Sequence, residues 1–302
     1  MKRISIVGMP MWLGQNHFGT NLGPDAIRAA GLLEKLQYIG ADIVDVGNIA
    51  VNINAQCSKT EQNYDPIRNL ESVQAGVELL STAVSDIVTN GRFPLILGGD
   101  HSIAIGTLAG IAKHYRNLGV IWYDAHADSN TAEVSPSGNI HGMSLLASIG
   151  RGQAELVKVG GYQNKVKPEH VVIIGLRDMD TIEEKIVTDL PIKIYTAEDV
   201  EQKGIDNVID EAISYLSSKC DGIHLSFDLD VSDPTEICGV GTPVEGGIKF
   251  AENLKAMQML AQYNAITSAE FVEVNPLLDK DGKTVQAAVD LIGALFQNNS
   301  KL

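Results

Sequence analysis

Val120-Ile121-Trp122-Tyr123-Asp124-Ala125-His126-Ala127-Asp128 opens with four large apolar or aromatic residues, stops at an aspartate, and continues with polar side chains spaced two apart. A short uninterrupted apolar run predicts a strand covered on both faces, as in a parallel sheet. On an extended segment Asp124, His126 and Asp128 share one face. Burying three such groups together is costly unless something compensates them, and a bound cation does so.

The same pattern recurs along the chain. Residues 4–8, 93–97, 171–175, 223–227 and 271–274 are further short apolar runs, most of them rich in Ile and Val. The stretches between them are longer and amphipathic. Residues 72–90 carry Val73, Val77, Leu80, Ala83, Val84 and Ile87 at close to helical spacing, and residues 205–217 and 250–262 read the same way. Strand alternating with helix predicts βαβ units and places the chain in the α/β class. Neither a repeat nor a Pro/Ser-rich linker divides it, so residues 1–302 are read as one domain.

Most of the predicted strands run into unusual polar sequence: Gly98-Gly99-Asp100-His101, Arg177-Asp178-Met179-Asp180, Asp228-Leu229-Asp230, and Glu273 followed by Asn275-Pro276. In an open parallel sheet, ligands bind beyond the carboxyl ends of the strands, so these ends can converge on one crevice. Together they offer two imidazoles, at least four carboxylates and no thiolate. That donor set suits Mn²⁺, Fe²⁺ or Mg²⁺ better than structural zinc. The carboxylates outnumber what one divalent ion needs. Two ions sharing bridging carboxylates, about 3.5–4 Å apart, account for them and would lower the pKa of a water held between them.

Composition narrows the function classes. Hydrophobic residues make up 44% and charged residues 20% of the 302, the balance of a globular protein with a sizeable core. A net charge of −15 argues against a nucleic-acid partner, which needs a basic face, and favours solubility and a weak attraction for cations. Cys57, Cys220 and Cys238 form no CxxC pair, so neither a disulfide scaffold nor a cysteine zinc site is expected, and a reducing compartment fits. The apolar run near Met1 is too short for a signal segment, and no stretch approaches the roughly 20 apolar residues that cross a bilayer. The chain is read as cytoplasmic, without a membrane partner.

Taken in order, these motifs resemble the ureohydrolase family, and within it the bacterial-type arginases. The resemblance covers essentially the whole chain. It begins with Gly14, Gly19 and Gly23-Pro24 leading to Ala26-Ile27-Arg28. It continues through Gly98-Gly99-Asp100-His101-Ser102, Trp122 to Asp128, Ser226-Phe227-Asp228-Leu229-Asp230 and Glu273-Val274-Asn275-Pro276. It implies a three-layer αβα fold with a mainly parallel central sheet and two Mn²⁺ ions per chain. One ion would be held by His101, Asp124, Asp128 and Asp228, the other by His126, Asp124, Asp228 and Asp230, with Asp124 and Asp228 bridging. A hydroxide between the ions would attack the guanidinium carbon of a small guanidino substrate, releasing urea and an amine. Asp128 would orient that hydroxide, Glu273 would pair with the guanidinium, and His141, in Gly138-Asn139-Ile140-His141-Gly142-Met143, would shuttle protons.

For arginine the resemblance implies two further contacts. Asn130, Ser135, Ser137 and Asn139 can donate hydrogen bonds to an α-carboxylate, and Asp180 and Glu183 match positions near the α-amino group. Family members are commonly trimers or hexamers, so a homo-oligomer is expected. The sequence also departs from the family. Cys238 stands where proline is usual, Glu270 where aspartate is usual, and Ser129 and Ser144 where arginases carry an aliphatic residue and a proline. The extra methylene of Glu270 is expected to be able to displace Glu273. Another ureohydrolase (agmatinase, formiminoglutamase or a guanidino-acid hydrolase) and a non-catalytic metal-binding relative are the alternatives.

Overall fold

Eight strands form one sheet in the computed structural model, which describes residues 2–51 and 67–297; Cys57 lies outside them. They are β1 (Arg3–Met9), β2 (Asp42–Asn48), β3 (Phe93–Gly98), β4 (Leu118–Tyr123), β5 (Val171–Leu176), β6 (Lys193–Thr196), β7 (Gly222–Asp228) and β8 (Ile266–Val272). Every pairing is parallel, and the order across the sheet is β2-β1-β3-β8-β7-β4-β5-β6. The predicted α/β class and αβα layering hold, with a sheet that is parallel throughout.

Alternation along each strand feeds two cores. In β4, Ile121 and Tyr123 join one apolar cluster with the helices Ile205–Ser217, Phe250–Tyr263 and Lys283–Phe296, while Val120 and Trp122 join the other with Leu70–Thr89 and Ala104–Ile111. Both faces are covered, which is why these strands read as continuous apolar runs.

The sequence did not announce β2 or β6. Both lie at the sheet edges, and β2 carries Asp42, Asp45 and Asn48, so neither shows an apolar run. The predicted strand 271–274 is also displaced, because β8 begins at Ile266 and ends at Val272. Its first five residues include Thr267, Ser268 and Glu270, which no apolar pattern could reveal. Glu273 lies beyond the strand, with a left-handed φ of 65°.

Register brings the strand ends level. Tyr123 pairs with Phe227, Phe227 with Phe271, and Phe271 with Leu97, a continuous row across β4, β7, β8 and β3. The Tyr123, Phe227 and Phe271 rings stack along it, with centroids 4.9 and 5.3 Å apart. The residues that follow each strand therefore emerge side by side at the centre of the sheet. Among the described residues no helix is long and apolar enough to cross a membrane.

Candidate metal centre and active site

His101 follows β3 in a single 3₁₀ turn capped by Asp100, whose carboxylate accepts the Ser102 N–H at 3.0 Å. Its ring is fully buried and lies flat on Trp122, with centroids 4.1 Å apart and planes 7° apart. Nδ1 faces three carboxylate oxygens: Asp124 Oδ2 at 3.0 Å, and Asp128 Oδ2 and Asp228 Oδ2 each at 3.1 Å. Nε2 lies 2.8 Å from Ser226 Oγ, and the Ser226 hydroxyl donates to Glu270 Oε1 at 2.7 Å.

That chain of contacts assigns the tautomer. A carboxylate only accepts, so Ser226 spends its single proton on Glu270 and must accept from His101 Nε2–H. Nδ1, buried and without a hydrogen-bond partner, is then the atom aimed at three acceptors, where it must either take up a proton or meet a cation. A cation satisfies four such atoms at once. Burial alone would lower the basicity of His101, yet the three carboxylates push it well above the ordinary imidazole value, the response of a site demanding positive charge. Asp228 is pushed the opposite way to an ordinary surface aspartate, well above the usual range, by burial and by Asp230 and Asp124 beside it.

Two sets of side chains offer ligand atoms within 4.8 Å of one another: His101 with Asp124 and Asp228, and His126 with Asp124 and Asp230. Asp124 belongs to both, and Asp228 falls in the first only. Asp124 is held by the Trp122 indole N–H at 3.0 Å and the His126 N–H at 2.7 Å. His126 Nδ1 sits 3.1 Å from Asp230 Oδ2, and its Nε2 is 3.6 Å from Asp178. Thr242 donates to Asp230 Oδ2 at 3.1 Å. Arg177 fastens the segment after β7 by donating to the carbonyls of Asp230, Val231 and Val244 at 2.7–3.1 Å. Asp128 takes a left-handed φ of 46°, which turns its carboxylate back towards His101.

Glu273 stands beside this cluster, nearly fully buried. Its Oε1 accepts the His101 backbone N–H at 2.9 Å and lies 3.3 Å from His141 Nδ1, and its Oε2 accepts from Gln15 Nε2 at 2.7 Å. Burial would raise its carboxyl, but His141 and the His101 N–H pull it below the usual range. For His141 burial works downward and the Glu273 carboxylate upward; the carboxylate prevails, and the imidazole stands at about 9.

The outer residues are engaged differently. Asn130 Oδ1 and Asn139 Oδ1 are buried without partners. The Ser135 hydroxyl accepts from Gly138 N at 3.0 Å, and the exposed Ser137 hydroxyl accepts from Asn139 N at 3.2 Å. Asp180 caps the helix Thr181–Thr188 through the Ile182 and Glu183 N–H groups, both at 2.9 Å. Glu183 turns inward and accepts the Ser129 N–H at 2.8 Å, and burial pushes its carboxyl up to about 7.

The contacts of the Glu270 carboxylate are with residues other than Glu273: Ser226 donates to it at 2.7 Å and His224 Nε2 lies 3.3 Å off. His224 in turn contacts Ser268 at 3.0 Å. Cys238 is a half-buried free thiol, and Ser144 donates to the His141 carbonyl at 2.7 Å. Sequence reasoning gives Gln15, Ser226, Thr242 and Arg177 no role, although Ser226 and Arg177 stand in the strand-end motifs. Ser226 carried a usable signal: it lies two residues before Asp228 on the same strand, hence on the same face. Gln15 carried none, being a neutral residue in a loop more than 80 residues from the nearest ligand.

Comparison with known proteins agrees with this geometry. The arginase family model matches residues 2–297. Arginase of Bacillus caldovelox is 54% identical over 98% of this chain and 98% of its own length, and arginase of Bacillus subtilis (strain 168) is 52% identical over the same shares. The solved native structure of the Bacillus caldovelox arginase superposes with a TM-score of 0.95 at 53% identity, covering 99% of this chain and 100% of that one. Sheet order, the two carboxylate–histidine groups and these full-length matches together establish that the chain belongs to the arginase family.

Proposed function

We propose that this protein is an arginase, hydrolysing L-arginine to L-ornithine and urea at a centre of two Mn²⁺ ions. The observation that carries the reading is His101 Nδ1 facing Asp124, Asp128 and Asp228 at 3.0–3.1 Å, with Glu273 alongside. His101, Asp124, Asp128 and Asp228 would hold one ion, and His126, Asp124, Asp228 and Asp230 the other. Bound there, the ions would supply Lewis-acid activation of water at neutral pH.

The remaining work belongs to side chains. Glu273, kept ionised, pairs with the planar guanidinium and orients its carbon. Asp128 orients the attacking water by hydrogen bonding. The water oxygen adds to the guanidinium carbon, the C–N bond to the side chain breaks, and the departing amine needs a proton. His141 supplies it: at about 9 it is protonated at neutral pH, and its side chain is 15% exposed, so it can reload from solvent. Asn130, Ser135, Ser137 and Asn139 receive the α-carboxylate, and Asp180 and Glu183 the α-amino group. The reading treats residues 1–302 as one arginase-like domain, working in the cytoplasm as a trimer or hexamer; the acidic surface implied by a net charge of −15 supports a soluble assembly.

The test is urea release by the manganese-loaded protein from arginine and from agmatine, which lacks the carboxylate. Leaving the carboxylate's donors unpaired costs about 1–3 kcal/mol, so agmatine should be slower in kcat/KM by about 5- to 150-fold. Equal turnover of both would transfer the protein to another ureohydrolase activity.

A further inference from the structure

Gln15 lies in the loop after β1 and is 2% exposed. The loop is fastened to the site on both sides. The Gly14 N–H donates to Asp100 Oδ2 at 2.8 Å, and the Gly14 carbonyl accepts the His141 N–H at 3.0 Å. The Gln15 side chain therefore enters the site on a held backbone.

The orientation of its amide is decided by Glu273. Nε2 donates to Glu273 Oε2 at 2.7 Å. The reversed amide would set a carbonyl against a carboxylate, two acceptors in contact. The actual orientation leaves Gln15 Oε1 buried without a hydrogen-bond partner. A buried polar atom left unpaired is a local cost that native structures keep where function requires it.

Gly241 makes that orientation possible. It is absent from the left-handed glycines, so its backbone does not call for glycine. Its surroundings do: a Cβ there would come within 2.6 Å of Gln15 Oε1 and 3.4 Å of Glu273 Oε2. Any side chain at 241 would push on the amide that holds Glu273.

An ionised carboxylate has about four acceptor positions. On Glu273 the His101 N–H and His141 meet Oε1, and Gln15 meets Oε2. One position remains, on Oε2. We propose that Gln15 is a positioning residue that locks Glu273 so that this one Oε2 lone pair receives a guanidinium N–H, and that Gly241 is the residue that lets the Gln15 amide take its place. The inference rests on the guanidino-hydrolase reading and adds to it a residue outside the metal ligands and Glu273.

The experiment compares the wild-type holoenzyme with Gln15→Met, Gly241→Ala and the double variant. Steady-state kinetics are measured with arginine, and ornithine, which has the same amino-acid end and no guanidinium, serves as competitive inhibitor. Metal content is measured in parallel. Gln15→Met should lower kcat/KM for arginine about tenfold or more, the scale of one hydrogen bond to a charged group. The ornithine inhibition constant should stay within about twofold and the metal content should not change, because neither depends on the guanidinium contact. Gly241→Ala should act in the same direction, and the double variant should be little worse than Gln15→Met alone, because both changes act through one amide. Gly241→Ala alone reads out the proposal if Gln15→Met fails to fold. Wild-type kinetics in both single variants, or equal weakening of arginine and ornithine, would overturn it. Failure of the parent reading looks different: the wild-type enzyme itself would release no urea from arginine, and the same ratios would be read on whichever guanidino compound it does hydrolyse, with the matching amine product as inhibitor.

Discussion

Replacing Ser226 with alanine removes two buried hydrogen bonds at once: the one its oxygen accepts from His101 Nε2 at 2.8 Å and the one it donates to Glu270 at 2.7 Å. Glu270 Oε1 still faces His224 Nε2 at 3.3 Å, though not as a hydrogen bond, so the damage falls on Glu270 as well as on His101. Its N–H is left unpaired in a fully buried position, at a cost of about 1–3 kcal/mol. The loss also frees the ring to carry its proton on Nδ1, the atom that must be bare to bind metal. Groups that orient a metal-binding histidine in this way contribute about 10- to 100-fold in metal affinity, in line with the hydrogen-bond figure. Competition of Mn²⁺ between the protein and a chelating dye should therefore give a dissociation constant 10- to 100-fold weaker in Ser226→Ala. Saturating metal should restore most of the activity, since no substrate contact is touched. A dissociation constant within about twofold of wild type would refute the tautomer assignment and the cation argument built on it.

Other expectations follow from the same geometry. Asp228→Asn should lower the metal content below the two ions per chain proposed for the wild type, by elemental analysis. It should also raise the melting temperature of the metal-free protein, because burial and neighbouring carboxylates disfavour the ionised Asp228. His141→Ala should retain its metal and lose about 10²–10⁴-fold in kcat, the usual scale for a general acid, whereas loss of metal would reassign His141 to the ligands. Lys249 and Thr235 hold Asp233 down at about 2, so its contribution is fully present above an unfolded value near 4 and is lost as pH falls through about 2. With Lys249 half exposed, Asp233→Asn should cost about 1 kcal/mol in urea unfolding, constant between about pH 7 and pH 4 and shrinking below.

Legibility in the sequence followed burial. Strands covered on both faces, such as β4 and β5, announced themselves as apolar runs, and the polar residues that follow them stood out by contrast. β2 did not, because an edge strand can be polar on every side. β8 was misplaced by half its length because Ser268 and Glu270 are buried among other polar groups, and a pattern that equates burial with apolarity cannot find them. Spacing could bring Asp124, His126 and Asp128 together. It could not show that Asp128 needs a left-handed backbone to reach His101, or that Gln15, from the far end of the chain, holds Glu273. The concern over Glu270 reflected the same gap, since proximity in sequence to Glu273 said nothing of the partners its carboxylate takes.

The strand order has a consequence for the chain as it is made. Among the described residues β7 and β8 are the last strands in chain order, yet they stand between β3 and β4. Before β7 has emerged, the strands already made can form only two separate three-strand pieces, β2-β1-β3 and β4-β5-β6, each with an open edge that invites pairing with another chain. His101 belongs to one piece and Asp124, His126 and Asp128 to the other, and the strands that unite them are still missing. A metal site that needs both groups together with Asp228 can therefore assemble only once β7 and β8 have joined the two pieces. A chain cut short before β8 is an aggregation hazard, with no diminished form of the enzyme to fall back on.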